Sequence, residues 1–288
     1  MLSLPRELVK ERLLAFLKED VGQGDITSQL VVQQDAFVEA EIVAKERGVI
    51  AGIEEAQILL EAMDISPKSF VRDGAKVEPG TILLRMKGNA GDILTVERTL
   101  LNILCRMSGI ATETRTLQDK VTSINPSAKV ASTRKVAPGC LYFDKKAVAI
   151  GGGDLHRLHL DDLILIKDNH KALAGSIKEA VRRAKEGSFT KKIEVEVTSA
   201  KEAIEAAEAG ADIIMFDNMA PAEIRSAIEQ LKSKGMRKGI VFEASGGINA
   251  SNILEYASSG VDIMSLGSLT HSTKSLDISL EIKSPSQR

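Results

Sequence analysis

Between Ala131 and His170 the chain gathers Arg134, Lys135, His156, Arg157 and Lys167 around a Gly151-Gly152-Gly153 run. Cationic side chains beside glycine-punctuated loops suit an anionic small molecule, because loops held by a rigid scaffold carry function disproportionately. The plainer reading is a set of solvated cations on connecting segments. Further along, Glu196 and Asp217 supply carboxylates, and Ser245-Gly246-Gly247 and Gly267 to His271 supply glycines beside small polar residues. Glycines let backbone N–H groups approach a phosphate, although a Gly-Gly pair can also be only a tight turn. The two carboxylates either hold Mg²⁺, which takes one or two carboxylates together with substrate phosphates, or accept hydrogen bonds from sugar hydroxyls. Pairing with the nearby cations is a further reading that excludes neither. His156 and His271, each alone, are more often structural than catalytic. The sequence has no His/Cys spacing for zinc and no Ser-His-Asp set that can be put in order. Two anion sites result. The Arg/Lys-rich one suits carboxylates or diphosphate, and the glycine-rich one suits a phosphomonoester. A sugar phosphate with a carboxylic acid fits both.

These residues need elements that aim them at one place. From about residue 120, near-continuous apolar runs at 128–133, 163–167, 192–197, 212–216, 239–243 and 261–265 alternate with helical patterns at 171–186, 200–209, 222–234 and 250–258. That grammar predicts a parallel sheet covered by helices. A segment of this length falls short of the ~250 residues of a full eight-fold barrel. An incomplete α/β barrel of six or seven strands is therefore expected, with an open doubly wound sheet as the alternative. In both folds the working residues sit at the carboxyl ends of strands. Here Arg134 and Lys135 follow the first run, Lys167 ends the second and Glu196 lies near the end of the third. Asp217 follows the fourth, Ser245 to Gly247 the fifth, and Gly267 and His271 the sixth.

The first third reads differently. Apolar spacing over 4–19 predicts an amphipathic helix, 36–45 alternates as a half-buried strand, and 53–63 reads as a helix. Short strands then follow, separated by Asp73-Gly74, Pro79-Gly80 and Gly88-Asn89. The last pair is a candidate hairpin tip with Lys87 just before it, where lipoyl and biotinyl domains carry their modified lysine; a plain antiparallel sheet is the preferred reading. A long helical pattern over 92–119, interrupted near Ser108-Gly109, carries Arg98.

Bulk properties set limits. The 288 residues carry a formal net charge of −2 with 43% hydrophobic content, so a broad nucleic-acid surface is not expected. Cys105 and Cys140 have no metal-ligand spacing and fit a reducing compartment. The N-terminus lacks an apolar core of the signal-peptide kind, and no run of about 18 apolar residues is present. The expectation is a cytoplasmic protein with no membrane partner.

At TRKVAPG (133–139), GGGDLHR (151–157), LILIKDNH (163–170), EVEV (194–197), DNM (217–219), ASGGI (244–248) and GSLTHS (267–272) the chain closely resembles the quinolinate phosphoribosyltransferases. EDVGQGDIT, ERTLLN and SGIAT extend the resemblance over nearly the whole chain. It implies an N-terminal α/β sandwich domain (1–115, with 276–288 packing back on it) and an incomplete barrel (116–275) carrying the active site. It implies transfer of phosphoribosyl from phosphoribosyl pyrophosphate to quinolinate, with Mg²⁺, giving nicotinate mononucleotide, CO2 and diphosphate in de novo NAD synthesis. It further implies a homodimer or larger assembly with the site at the interface. Arg134, His156, Arg157 and Lys167 would hold the quinolinate carboxylates beside Thr133, with Arg98 reaching in from the neighbouring subunit. Lys135 would contact phosphoribosyl pyrophosphate. Glu196 and Asp217 would bind ribose hydroxyls and Mg²⁺, and with Lys135 form the catalytic set. Ser245, Gly246, Gly247, Gly267 and His271 would seat the 5′-phosphate. The chain departs from the family where Val136 and Ala137 replace threonines and Leu141 replaces an arginine. A related acid such as nicotinate, or a non-catalytic sugar-phosphate-binding paralogue, are the alternatives.

Overall fold

The computed structural model describes residues 3–285. In chain order the elements are α1 (Arg6–Val21), α2 (Ile26–Val31), β1 (Phe37–Ala44), β2 (Gly48–Val49), α3 (Ile53–Ala62), β3 (Ser66–Ser69), β4 (Lys76–Val77), β5 (Ile82–Asn89) and α4 (Ala90–Ile124). There follow β6 (Lys129–Ser132), α5 (Leu141–Gly151), β7 (Ile164–Ile166), α6 (Asp168–Ala174), α7 (Ile177–Gly187), β8 (Ile193–Val197), α8 (Ala200–Ala209) and β9 (Ile213–Asp217). The chain closes with α9 (Pro221–Ser233), β10 (Val241–Ser245), α10 (Ile253–Ala257), β11 (Ile263–Leu266), α11 (Ser268–His271) and β12 (Ile278–Pro285). Among the described residues no helix is long and apolar enough to cross a membrane.

The first compact unit comprises the described residues up to Arg115, Tyr142–Gly152 and those from Thr273 onward. Its sheet runs β12-β1-β5-β3 with antiparallel pairing throughout. Three features differ from the reading by pattern. Gly88 and Asn89 are no hairpin tip: both pair with β1, and β5 runs directly into α4, whose first turn is capped by the Asn89 side-chain Oδ1 accepting from Gly91 N at 2.8 Å. Lys87, the candidate carrier lysine, is tied to Glu39 instead. The long helix is not interrupted at Gly109. A Cβ there would lie 2.0 Å from the Lys274 carbonyl oxygen, so this glycine serves close backbone approach rather than a break. Finally, α5 groups with this unit rather than with the barrel to which 116–275 was assigned. Ion pairs hold it there: Asp144 with Arg106, and Lys146 with Glu54 and Glu55.

The second unit, Thr116–Leu141 and Gly153–Ser272, is the incomplete α/β barrel. Its six strands lie in the order β6-β11-β10-β9-β8-β7, all parallel. A lone parallel bridge between Ala131 and Asp154 adds the edge of a further strand beside β6. Strand parity sorts the side chains. Val195, Val197, Ile214, Phe216, Phe242, Ala244 and Met264 face the helices and join Ala203, Ile224 and Ile228 in the core. The Phe216 and Phe242 rings meet at 5.8 Å, and burying each such ring contributes about 2–3 kcal/mol. The opposite parity carries Glu194, Glu196, Met215, Asp217, Glu243, Ser245 and Ser265 inward. The helical pattern over 171–186 resolves into α6 and α7, split at Gly175, whose φ of +90° ends α6 while Ser176 caps α7 through Glu179 N.

Candidate active site

The inward residues at the carboxyl ends of the barrel strands line a cavity of about 450 Å³. Thr133, Arg134 and Lys135 enter after β6, and His156 and Arg157 enter from the segment following Asp154. Lys167 follows β7, Glu196 is on β8, Asp217 ends β9 with Asn218 behind it, and Ser245 ends β10. The strand-end placement read from the sequence thus brings these residues together. Gly246, Gly247, Gly267 and His271 are not among the residues lining the cavity; they follow β10 and β11 directly. A Cβ on Gly267 would meet His271 Cδ2 at 3.0 Å and Lys135 Cδ at 3.1 Å, so the two side chains fold over that glycine. Thr270 Oγ1 donates to the Lys135 carbonyl at 2.8 Å and ties the two loops. Arg98 belongs to the first unit, exposed on α4, and does not line the cavity. Val136, Ala137 and Leu141 do not line it either.

Charge is distributed unevenly. Arg134 and Arg157 lie close enough that burial, then the Arg134 charge, weakens the hold of Arg157 on its proton. Among the described residues neither guanidinium has an ion-pair partner. Two unpaired guanidiniums facing one cavity form an incomplete arrangement that an anion with two carboxylates completes. Lys167 Nζ is 2.5 Å from Glu196 Oε2, and Lys171 Nζ donates to the Glu196 carbonyl at 3.0 Å. Asn218 sits at φ +55°, its backbone N–H donating to the Ser245 carbonyl at 2.9 Å and its Nδ2 to Asp217 Oδ2 at 2.8 Å. Gly246 allows this: at φ +89° its missing Cβ would fall 2.3 Å from Asn218 Oδ1.

Beneath the cavity lies a group that the sequence reading left out. His156 Nε2 is 3.0 Å from Glu243 Oε2 and 3.2 Å from Glu194 Oε2, and both carboxylates are fully buried. Burial works against the imidazolium, but the two carboxylates outweigh it and hold its pKa up to about 10. Burial likewise pushes the Glu194 carboxyl up, opposed by the adjacent His156 ring. The three ligand atoms lie within 4.8 Å of one another, a spacing a metal ion could use. With the ring protonated, the three residues pair as an ion triad. Glu194 was visible in EVEV as the same-face partner of Glu196 two residues away. Glu243 inside VFEAS had no such signal.

Glu196 and Asp217 are the better donor set for a cation. They come from neighbouring strands, face the open cavity, and Asp217 keeps an oxygen without a partner among the described residues. That combination suits Mg²⁺ held jointly with substrate oxygens.

Comparison with known proteins supplies the wider frame. The profile of the quinolinate phosphoribosyl transferase N-terminal domain matches residues 25–108, and that of the C-terminal domain matches residues 110–281. The chain is 47% identical over 269 residues to a protein of Methanothermobacter thermautotrophicus named probable nicotinate-nucleotide pyrophosphorylase [carboxylating], covering 93% of this chain and 96% of that one. It is 36% identical to the nicotinate-nucleotide pyrophosphorylase [carboxylating] of Rattus norvegicus, covering 93% and 89%. The solved nicotinate-nucleotide pyrophosphorylase of Francisella tularensis superposes with a TM-score of 0.90 at 35% identity over 98% of both chains.

Proposed function

The chain belongs to the quinolinate phosphoribosyl transferase family, and on that premise we propose how its cavity performs the reaction. The enzyme transfers phosphoribosyl from phosphoribosyl pyrophosphate to quinolinate with loss of CO2, giving nicotinate mononucleotide and diphosphate for NAD biosynthesis. The observation that carries the residue assignment is the unpaired pair Arg134 and Arg157. With His156 and Lys167 they make the cationic wall that a pyridine dicarboxylate needs, and bidentate guanidinium contacts fix its orientation as well as its charge. Thr133 lies beside them.

Orientation does much of the work. Holding quinolinate by its carboxylates aims the ring nitrogen at the sugar carbon bearing diphosphate, which replaces an encounter in solution by a prearranged one. Glu196 and Asp217 accept hydrogen bonds from the ribose hydroxyls. Ser245, Gly246, Gly247, Gly267 and His271 seat the 5′-phosphate through backbone N–H groups and side-chain donors. Lys135, folded over Gly267, reaches the substrate's diphosphate. Glu196 and Asp217 would hold Mg²⁺, and that ion, when bound, would supply positive charge against the departing diphosphate. The nitrogen–carbon bond forms as the diphosphate leaves, and the ring becomes cationic. The carboxylate beside the nitrogen then departs as CO2, and the carbanion left behind is stabilised by the adjacent positive nitrogen before it takes a proton. Fixed cations aimed at these charges act without reorganising during the reaction. Lys167 touches both halves of the site, because its partner Glu196 lies on the sugar side.

The chain assembles as a homodimer or larger, and the exposed Arg98 completes the acid pocket of a second copy. The test is turnover with Mg²⁺ and phosphoribosyl pyrophosphate, offering quinolinate and nicotinate separately. Nicotinate mononucleotide with stoichiometric CO2 from quinolinate alone is expected. Product from nicotinate alone would overturn the acid-pocket assignment while leaving the sugar-phosphate side intact.

A further inference from the structure

We propose that Glu194 and Glu243 are positioning residues for substrate selection: together they clamp the His156 ring from below so that its other nitrogen, Nδ1, is presented as a fixed donor to the acid substrate. The proposal rests on the reading of His156 as an acid contact.

The geometry supports this on three counts. Barrel interiors are ordinarily filled with branched apolar side chains. Here two glutamates of zero exposure occupy inward positions on β8 and β10, with β9 between them. The cation both of them reach is the same ring nitrogen, His156 Nε2, at 3.2 and 3.0 Å. Second, the His156 backbone is itself held in place. It sits at φ +54°, and its N–H donates to Asp154 Oδ1 at 2.7 Å. A non-glycine residue adopts that conformation only where its surroundings impose it. Third, Nε2 is committed to the carboxylates, which leaves Nδ1 as the ring's remaining polar atom. Nδ1 has no partner among the described residues, and His156 lines the cavity. Two fully buried carboxylates at one ring nitrogen favour the imidazolium, so Nε2 is taken up by them and Nδ1, protonated as well, meets the substrate as a donor. The charged groups in contact with the ring are Glu194 and Glu243; Asp154 accepts from the backbone N–H, and Arg134, Lys135, Arg157, Lys167, Glu196 and Asp217 line the same cavity. A structural ion pair would need neither the strained backbone nor a free ring nitrogen at the cavity wall.

The experiment uses full-length Glu243→Gln, Glu194→Gln, His156→Asn and the Glu243→Gln/His156→Asn double variant. Gln keeps the shape and removes the charge. Expected for Glu243→Gln is a rise of about 10-fold or more in KM for quinolinate, the loss typical of a hydrogen bond to a charged group, with KM for phosphoribosyl pyrophosphate unchanged. A new limb should appear in its pH profile, with activity falling as pH rises past neutrality. The double variant should be no worse than His156→Asn alone, because the clamp acts through that ring. Additive losses in the double variant, or an unmoved quinolinate KM in both Gln variants while His156→Asn impairs it, would overturn the clamp alone. An unchanged KM in His156→Asn would remove the acid-contact reading and the clamp with it. Nitrogen-15 NMR of the wild-type protein provides a readout that does not depend on variants folding. With four histidines in the chain, one ring should keep both nitrogens protonated at pH 8.5, and four neutral rings would overturn the proposal.

Discussion

Replacing Gly246 by Ala should harm the enzyme far more than the same change at Gly247, its neighbour, and the structure sets the difference. Both glycines have positive φ, +89° and +66°, so each substitution incurs a backbone cost of roughly 1–2 kcal/mol. At Gly247 nothing lies within 4 Å of the new Cβ, and the cost ends there. At Gly246 the Cβ falls 2.3 Å from Asn218 Oδ1, 2.6 Å from Cγ and 3.0 Å from the backbone N. To restore ordinary contact at 3.4 Å the amide oxygen must retreat by 3.4 − 2.3 = 1.1 Å. Overpacking of that kind adds about 1–3 kcal/mol. The total is then about 2–5 kcal/mol for Gly246→Ala against about 1–2 for Gly247→Ala. At roughly 2–4 °C per kcal/mol, the two melting temperatures should separate by several degrees. Function should follow the same order. Asn218 donates to Asp217, so displacing it unseats a carboxylate proposed to hold the sugar. KM for phosphoribosyl pyrophosphate should rise about 10-fold or more in Gly246→Ala and much less in Gly247→Ala, because a misplacement of about 1 Å costs rate steeply. Calorimetry and steady-state kinetics on both variants decide it. Equal melting temperatures, or an unchanged KM in Gly246→Ala, would refute the argument that this glycine exists to admit Asn218.

Other perturbations separate fold from chemistry. Arg134→Ala should abolish measurable turnover while moving the urea midpoint little, since Arg134 is exposed and unpaired. An active variant would remove it from the acid pocket. Lys146→Met should lower unfolding free energy by about 3–5 kcal/mol, because it strands the fully buried Glu55 without its cation; a shift below about 1 kcal/mol in urea denaturation would contradict that. The pH dependence of stability has a definite sign. His156 in the folded chain holds its proton up to about pH 10, above its ordinary value of 6.5, so the native state binds a proton that the unfolded chain releases. Its contribution is complete below about pH 6.5 and lost as pH rises through 10. Urea midpoints should therefore fall between pH 7 and 10, and the fall should flatten in a Glu194→Gln/Glu243→Gln double variant.

Much of this protein could be read from one dimension. The alternation of apolar runs and helical patterns from residue 120 onward leads to the parallel barrel, because a strand buried on both faces must be apolar nearly throughout. That Lys167, Glu196, Asp217 and Ser245 line one cavity was legible because each closes or follows such a run, and strand ends are local features. What depended on tertiary packing was of another kind. Gly109 looked like a helix break until the Lys274 carbonyl was found against it. The helix Leu141–Gly151 lies among barrel segments in sequence, yet its ion pairs reach back to Glu54, Glu55 and Arg106. Gly88 and Asn89 have the composition of a turn, but pairing with β1 keeps them extended. Above all, the meeting of His156 with Glu243, 87 residues away, exists only because the sheet's register carries β10 beneath that ring. Periodicity tells which way a side chain points; it does not tell what stands opposite, because that is decided by strand order and closure, which no window of sequence contains.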